Sequence, residues 1–322
     1  MRIVIRSNSV MQLLKSSAVL GVVAALSGCS AAGTEDPSST VAQSEDVAST
    51  EQLLSAPDED YVATPVGEIH KTCIHESDDA DRAFPKCRYK SKLKLQNPAS
   101  LAAPGPLQPP TVNGWVENSF RFAPAGQWFR QAFSAWTVPN NPSSISNQLV
   151  YYFPGFQNLA GTLSIIQPVM QWGNNGRFGG NFWSIASWYV DTAGVAVHST
   201  PRTVTTGQII DGSMVGSNCT AAGVCSWTIT TKVRNGISTT LTRSPGVVYN
   251  WAAPAALEAY RLTACNQYPF NTGLNISTNL YLTTSTTKST LPWSSTVNSV
   301  TPSCHYAVTN NPNPGVTLLQ AF

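Results

Sequence analysis

The stretch "SIIQPVMQWG", residues 164–173, has the composition of a buried β-strand, yet it contains two glutamines. In a strand, successive side chains point to opposite faces of the sheet. This period of two places Gln167 and Gln171 on one face and the apolar Met170 and Trp172 on the other. The stretch therefore predicts a sheet strand that is apolar on one face and carries two carboxamides on the other.

The same kind of pattern continues through residues 111–322. Short runs rich in Thr, Val, Ile and aromatic residues are punctuated by Gly, Asn and Pro, and no long segment has helical periodicity. We therefore predict an all-β domain, an antiparallel β-sandwich of about ten or more strands whose two sheets pack face to face. The dipeptide Asn235-Gly236 within "RNGI" predicts a hairpin with a type I′ turn.

Composition and charge exclude one class of partner. The chain has 322 residues, of which 42% are hydrophobic and 11% charged, and its formal net charge is +2. This length and hydrophobic content allow a sizeable core. Because there is no basic stripe of the kind that neutralises phosphates, we expect no nucleic-acid partner.

The N-terminus has the features of an export signal. Arg2 and Arg6 precede an apolar run that ends in "LSGC", residues 26–29, and the run is too short for a stable transmembrane anchor. The four residues resemble the lipobox of a bacterial lipoprotein, so we predict a signal peptide at 1–28 and lipidation at Cys29. A plain secretory signal with a chance cysteine is the alternative. Because Ser30 is not aspartate, the outer membrane or cell surface is the expected location, with the lipid as the only membrane contact.

Two further segments precede the sandwich. Between Ser30 and Asp60 the chain carries eight carboxylates and no Lys or Arg, which predicts a disordered acidic tether over residues 29–60. Residues 61–110 predict a small cysteine-containing subdomain or pro-segment, followed by a Pro-rich linker. The run "KCRYKSKLKL", residues 86–95, either covers an active site before processing or forms a solvated edge strand.

Six cysteines remain once Cys29 is set aside, and an exported protein is expected to pair them. Fifteen pairings are possible. Closeness in sequence favours three of them: Cys73 with Cys87, Cys219 with Cys225, and Cys265 with Cys304. The four histidines are scattered and no Cys-x-x-Cys occurs, so we expect no metal site and no cofactor.

Few side chains of the predicted sandwich could carry out acid–base chemistry. From Thr111 onward there are four carboxylates, namely Glu117, Asp191, Asp211 and Glu258. The two aspartates have turn-like surroundings and Glu117 lies near the start of the domain. Glu258 stands in the apolar "APAALEAY", residues 253–260, where desolvation would raise its pKa towards the range of a working acid or base. Exposure on an outer face is the alternative.

Other catalytic schemes lack their parts. The chain has no Gly-x-Ser-x-Gly elbow, no cysteine outside the expected pairs and no Gly-rich phosphate loop. A pair of carboxylates would need Glu258 and one of the three weaker candidates. A carboxylate that takes a proton from water and a carboxamide that donates to the oxyanion would suffice for amide hydrolysis.

The order of several motifs resembles the glutamic peptidases of the eqolisin type. The similar stretches are "SAWTVP" (134–139), "YYFPGFQ" (151–157), "SIIQPVMQW" (164–172), "IASWYV" (185–190) and "APAALEAY" (253–260). The resemblance implies a concanavalin-like β-sandwich with Gln167 and Glu258 as the catalytic pair. The resemblance implies an acidic pH optimum, but two acidic residues of the family pattern are replaced, by Gln157 and Val190, which removes subsite contacts and part of the repulsion that keeps carboxyl groups protonated.

Further side chains are candidates for substrate binding: Gln157, Gln171, Trp183, Trp188, Tyr189 and Tyr260. Alternation puts Trp183 and Tyr189 on one face of their strand and Trp188 on the other, so at most one set can meet a ligand. Burial of the aromatic rings in the core is the alternative.

Two functions remain open at this point. The first is a secreted, lipid-anchored glutamic endopeptidase, expected to be a monomer, that hydrolyses polypeptides with a Gln/Glu pair. The second is a lectin-like or peptide-binding module without catalysis that holds an extracellular polymer. A purely structural envelope role has no positive sign in the sequence.

Overall fold

The computed structural model describes residues 58–77, 83–89, 92–93, 111–159, 163–269, 273–283, 285–311 and 315–321. The predicted signal peptide 1–28, residues 29–57 of the predicted tether including Cys29, and the Pro-rich linker 97–110 lie outside this range. In the ranges that are described, no helix is long and apolar enough to cross a membrane.

Short 3-10 helices span Asp58–Asp60, Lys71–Cys73 and Cys265–Gln267. The strands are β1 (Tyr61–Thr64), β2 (Gly67–His70), β3 (Ile74–Glu76), β4 (Lys92–Leu93), β5 (Asn113–Phe122), β6 (Phe129–Thr137), β7 (Leu149–Gln157), β8 (Ile165–Asn174), β9 (Gly179–Val190), β10 (Ala196–His198), β11 (Arg202–Val204), β12 (Ile209–Ser217), β13 (Ser226–Val233), β14 (Ser238–Arg243), β15 (Trp251–Tyr260), β16 (Leu274–Leu282), β17 (Ser294–Val297), β18 (Ala307–Asn311) and β19 (Val316–Gln320).

The described strands form two large sheets and one small one. The nine-stranded sheet has the order β17-β5-β15-β7-β8-β9-β10-β3, with β11 also pairing with β9. The seven-stranded sheet has the order β14-β13-β12-β6-β16-β19-β18, and β1, β2 and β4 form the small sheet. Apart from the parallel pair of β3 and β10, the neighbouring strands are antiparallel. The predicted all-β antiparallel sandwich is confirmed.

The alternation of side chains explains how the two large sheets meet. Pro168 of β8 points towards the seven-stranded sheet. Its ring lies so close to Gly212 of β12 that a Cβ atom added at Gly212 would be 2.9 Å from the proline Cγ. Ser187 of β9 likewise shares a hydrogen bond of 3.0 Å with Thr231. Gln167 and Gln171 therefore lie on the opposite, outer face of the nine-stranded sheet.

A segment before the sandwich lies on this outer face, which explains why β7, β8 and β15 are almost entirely buried although they belong to an antiparallel sheet. We call Tyr61–Glu76, which contains β1, β2 and β3, the cover. Strands β1 and β2 form a hairpin, and β3 extends the nine-stranded sheet beside β10. Val62, Val66 and Ile69 of the cover are buried in the same cluster as Tyr151 and Phe153 of β7.

Disulfides join Cys73 with Cys87, Cys219 with Cys225, and Cys265 with Cys304, the three pairs that closeness in sequence favours. The first pair ties the cover to the residues just after it, and the other two lie within the sandwich.

The hairpin predicted at "RNGI" is present between β13 and β14, but its turn is not type I′. A type I′ turn needs positive φ at both central residues. Here Asn235 has φ 59° and Gly236 does not have a positive φ. The loop is one residue longer than the prediction assumed, because Val233 donates its N–H to the carbonyl of Ile237.

Candidate functional site

Glu258 lies in a row of paired residues on the outer face of the nine-stranded sheet. It is opposite Trp115 of β5 on one side and Tyr151 of β7 on the other, and Tyr151 is in turn opposite Gln171 of β8. Two strand spacings separate Glu258 from Gln171, which corresponds to about 10 Å between their Cα atoms. The register thus brings Gln171, and not Gln167, level with Glu258.

Gln167 lies four residues before Gln171 in β8, which corresponds to about 13 Å between their Cα atoms. Its neighbour on β7 is Gly155, where an added Cβ would lie 3.0 Å from Cγ of Gln167, so the absence of a side chain at 155 leaves room for the glutamine. The Gln167 side chain is buried, and its Oε1 accepts no hydrogen bond within the described chain. Its carboxamide therefore retains an unused hydrogen-bonding atom on the outer face.

Gln171, by contrast, holds the loop between β8 and β9. Its Nε2 donates to the carbonyls of Gly173 at 2.8 Å and Phe178 at 3.3 Å, while its Oε1 accepts from Nδ2 of Asn175 at 3.1 Å. Both its donor and its acceptor are engaged, so its described role is to fix this loop.

The Glu258 side chain is fully buried and meets the hydroxyl of Tyr260, two residues further along the strand. The Tyr260 Oη lies 2.6 Å from Glu258 Oε1 and 3.0 Å from the carbonyl oxygen of Thr64 in the cover. One hydroxyl proton cannot fully satisfy two acceptors. Both contacts become full hydrogen bonds when Glu258 is protonated, since its O–H then donates to Tyr260 and Tyr260 donates to Thr64.

Tyr151 provides a second contact with the cover. Its hydroxyl donates to the carbonyl oxygen of Ala63 at 2.9 Å. Burial raises the pKa of Tyr151 and of Tyr260 well above the usual value of a tyrosine, and the nearby Glu258 raises both further. Both hydroxyls are therefore neutral donors at acidic and neutral pH.

The candidate aromatic residues divide between the two faces as alternation requires. Trp188 is opposite Gln167 and shares its face, where its ring centroid lies 4.9 Å from that of His198. Trp183 packs between the sheets against Trp172. Tyr189 also points inward, because it is opposite Ile166. Trp183 and Tyr189 therefore point between the sheets, and the structure does not bring them to the outer face that carries Gln167 and Glu258.

Gln157 lies on the outer face at the far end of β7, where it is buried opposite Trp251. Sequence reasoning missed Tyr151 and the apolar wall beside Glu258, which consists of Trp115, Phe153 and Trp251. The alternation in "LVYYFPGFQ" puts Tyr151 and Phe153 on one face with Gln157, but it does not say that Glu258 lies opposite Tyr151.

The other three carboxylates do not share the face of Glu258. Glu117 pairs with Leu257, whose side chain points between the sheets, and it is buried there. Asp191 accepts the N–H groups of Ala193 and Val195 in a turn. Asp211 pairs with Arg234 on the outer surface of the other sheet. A paired-carboxylate site built from these four residues is thus not formed.

A search of the described residues finds no group of three or more His, Cys, Asp or Glu side chains that could hold a metal ion. The polar groups beside Glu258 are instead the hydroxyls of Tyr151 and Tyr260 and the backbone carbonyls that they contact. They can exchange a proton and hold a polypeptide by its backbone.

No family model matches the chain, and no curated protein matches it. Three similar solved structures are peptidases. Two are of scytalido-glutamic peptidase, one with a transition state analog inhibitor (TM-score 0.47, 12% identity) and one with a peptide based transition state analog (TM-score 0.47, 14% identity). The third is SCP-B, a member of the Eqolisin family of peptidases, in a complex with the tripeptide Ala-Ile-His (TM-score 0.46, 14% identity). Each match covers 66% of this chain and 100% of the other.

Proposed function

We propose that the chain is a glutamic-peptidase-like hydrolase held in a latent form by the cover. One observation carries the proposal. Glu258 is fully buried beside a neutral hydroxyl, and that hydroxyl is also hydrogen-bonded to a backbone carbonyl of the cover. A peptide carbonyl thus already lies two hydrogen bonds from a carboxyl group, in the place where a substrate would have to lie.

Glu258 is the proton carrier of the proposed reaction. As a carboxylate it takes a proton from water while the water oxygen bonds to the carbonyl carbon, and it then gives that proton to the nitrogen as the C–N bond breaks. Gln167 donates its amide N–H to the oxyanion that forms. We assign this role to Gln167 because both polar atoms of Gln171 are engaged in the loop.

The distance between Gln167 and Glu258 limits this mechanism to two arrangements. About 10 Å across the sheet and 13 Å along it give roughly 16 Å between the Cα atoms of Gln167 and Glu258 on a flat sheet. Two extended side chains of about 5 Å each and two hydrogen bonds to one water of about 3 Å each span the same distance. The two side chains must therefore point towards each other, or the sheet must curve.

The setting of the enzyme belongs to the same proposal. We propose that residues 1–28 direct export, that Cys29 carries the lipid, and that the protein works as a monomer at the outer membrane or cell surface of a bacterium. Its partner is a polypeptide, and no cofactor or nucleic acid takes part.

Cutting the chain between the cover and the sandwich tests the proposal. A recognition sequence for a specific endoprotease, placed within the linker 97–110, allows the full chain to be nicked. Cys73 and Cys87 pair with each other, so no described disulfide joins the cover to the sandwich after the cut. We expect the intact chain to leave an unfolded protein substrate uncut and the nicked chain, once the cover dissociates, to degrade it between about pH 3 and 6, where a carboxyl group changes its charge.

The uncut linker variant, treated with the same endoprotease, is the control for contaminating proteolysis. Absence of degradation from pH 3 to 8 after the cover has demonstrably dissociated would eliminate the hydrolase, leaving a binding protein.

A second candidate function, binding of an extracellular polymer, is favoured by a feature of the other sheet. Its outer surface carries a cavity of about 370 Å³. Phe133 in this cavity is 42% exposed and lies edge-on to Tyr281. Asp211 and Arg234 form an ion pair of 2.7 Å at its border. An exposed ring beside side chains that can both donate and accept hydrogen bonds suits the apolar face and hydroxyl groups of a sugar.

We expect replacement of Phe133 by alanine to weaken binding of the full chain to an insoluble cell-wall polysaccharide by about tenfold, which corresponds to roughly 1.4 kcal/mol of lost contact. Co-sedimentation at a series of polysaccharide concentrations measures the change. Ile145→Ala, which removes an apolar side chain that is 54% exposed in a loop, is the matched control. Equal binding by both variants would remove this candidate.

A further inference from the structure

Two tyrosine hydroxyls hold two consecutive carbonyls of the cover. Tyr151 donates to Ala63 and Tyr260 to Thr64, at 2.9 and 3.0 Å. The two rings are edge-to-face with centroids 6.3 Å apart, so they form one unit on the outer face. Both side chains are buried, and each is anchored in a different strand, β7 and β15. The spacing of the two hydroxyls is therefore fixed by the sheet.

These contacts recognise backbone rather than a particular side chain. The acceptors are main-chain carbonyl oxygens, which every residue of a polypeptide provides. A tyrosine hydroxyl in an apolar setting needs a partner, and binding a chain here replaces water without leaving a donor unpaired. Because successive carbonyls of a fully extended chain point in opposite directions, a pair of this kind suits a peptide that bends over Glu258, as the cover does where β1 ends at Thr64.

We infer that Tyr151 and Tyr260 are substrate-binding residues that hold two adjacent carbonyls of a polypeptide beside Glu258, and that Ala63 and Thr64 occupy this place in the latent form. This inference rests on the proposed function. Tyr260 links peptide binding to the catalytic carboxyl group, because the hydroxyl that binds the carbonyl of Thr64 also lies 2.6 Å from Glu258 Oε1. Tyr151 contacts the cover through its hydroxyl and serves binding alone.

The packing of the cover also indicates what a substrate must carry at these two positions. Ala63 is 7% exposed and Thr64 is fully buried, so a larger side chain at either position would have to displace the groups packed over it. The preceding Val62 lies against the backbone of Gly176, where an added Cβ would be 3.5 Å from its side chain. Substrates of this site are therefore polypeptides with two small residues in succession, such as Ala, Ser or Thr, preceded by a residue of about the size of valine.

Hydrogen exchange of the intact full chain tests the tyrosine pair without any need for activity. A neutral hydrogen bond contributes about 0.5–1.5 kcal/mol, so Tyr151→Phe and Tyr260→Phe should each speed exchange of residues 61–70 by about 2- to 12-fold. Tyr249→Phe is the matched control, because this buried tyrosine bonds to Ser164 and makes no described hydrogen bond to the cover. Exchange in the cover that is unchanged in both variants, or increased equally in the control, would overturn the inference.

Kinetics of the nicked chain add a readout that a merely structural hydrogen bond would not move. Tyr151→Phe should raise KM for a peptide with two consecutive alanines by about 2- to 12-fold and leave kcat nearly unchanged. A change in kcat alone would contradict a binding role.

Two peptide substrates that differ only at these positions test the preference for small residues. The peptide with Ala-Thr should have a kcat/KM at least tenfold higher than the peptide with Leu-Leu, and equal values would overturn this preference.

The two proposals fail in different ways. If exchange responds to both tyrosine variants but no substrate is cut at any pH, the cover occupies a binding site and the hydrolase is wrong. If substrates are cut and neither variant changes exchange or KM, the hydrolase stands and the tyrosine pair does not bind the substrate.

Discussion

Replacing Glu258 by glutamine is expected to reduce cleavage by the nicked chain by about 10²- to 10⁴-fold without unfolding it. Removal of a general base costs about 10²- to 10⁴-fold, and no other carboxylate of the sandwich shares this face to substitute for it. The carboxamide has the same shape, and its oxygen can still accept from Tyr260. Initial rates on an unfolded protein between pH 3 and 8, together with the thermal midpoint of the full chain, measure both effects.

The two glutamines provide a matched pair for the second half of the site. Gln167→Ala should lower kcat by about 10²- to 10³-fold, the usual effect of losing an oxyanion donor, with little change in stability. Gln171→Ala removes three hydrogen bonds that hold the loop after β8, so its main effect should be on stability. If Gln171→Ala instead abolishes cleavage in a stable protein while Gln167→Ala cleaves normally, the assignment of the two glutamines must be exchanged.

This ambiguity shows where sequence reasoning stops. The period of two in residues 164–173 predicts correctly which side chains share a face, and the same rule separates Trp188 from Trp183. The same period does not predict the register, that is, which residues of neighbouring strands lie opposite each other. Strand β15 contains an irregularity between Ala253 and Ala256 that shifts its pairing with β7 by one residue, and only the folded sheet shows that Glu258 comes level with Tyr151 and Gln171.

The cover could be anticipated only in outline. Its composition indicates a separate cysteine-containing segment before the sandwich, because Cys73 and Cys87 are close in sequence and a Pro-rich linker follows. Where this segment docks depends on contacts between residues almost two hundred positions apart, such as Thr64 and Tyr260. No local pattern encodes such a contact, so the apolar surroundings of Glu258 could be predicted but its contact with the cover could not.

Glu117 shows the same limit and leads to the second large effect. Its position near the start of the domain suggested no special environment, yet its side chain is buried between the sheets beside Tyr152, Tyr268 and Tyr306. Burial raises the pKa of Glu117 to about 9, and the backbone N–H groups of Gln320 and Ala307 lower it only in part. The folded protein therefore keeps this carboxyl group protonated at neutral pH.

We expect Glu117→Gln to stabilise the full chain at pH 8 and to leave its stability almost unchanged at pH 4. Unfolding returns the carboxyl group to an ordinary pKa near 4.5, so between that pH and about 9 the unfolded chain loses a proton that the folded chain keeps. The free energy of unfolding of the wild type then falls by up to about 1.4 kcal/mol for each pH unit in this window, and below pH 4.5 the loss disappears. A glutamine carries no charge in either state, so the variant lacks this slope.

Local rearrangement around an ionised Glu117 will relieve part of the loss in the free energy of unfolding. We therefore expect Glu117→Gln to raise the free energy of unfolding at pH 8 by about 2–4 kcal/mol, less than a slope of about 1.4 kcal/mol per pH unit over the whole range from pH 4.5 to 8 would give. Chemical denaturation of both proteins at pH 4, 6 and 8 measures the difference. Asp211→Asn is the control, because its ion pair with Arg234 is solvent-accessible and such pairs contribute about 1 kcal/mol or less. A difference between wild type and Glu117→Gln that stays constant from pH 4 to 8 would mean that Glu117 is ionised in the folded protein, and that water or a cation reaches the space between the sheets.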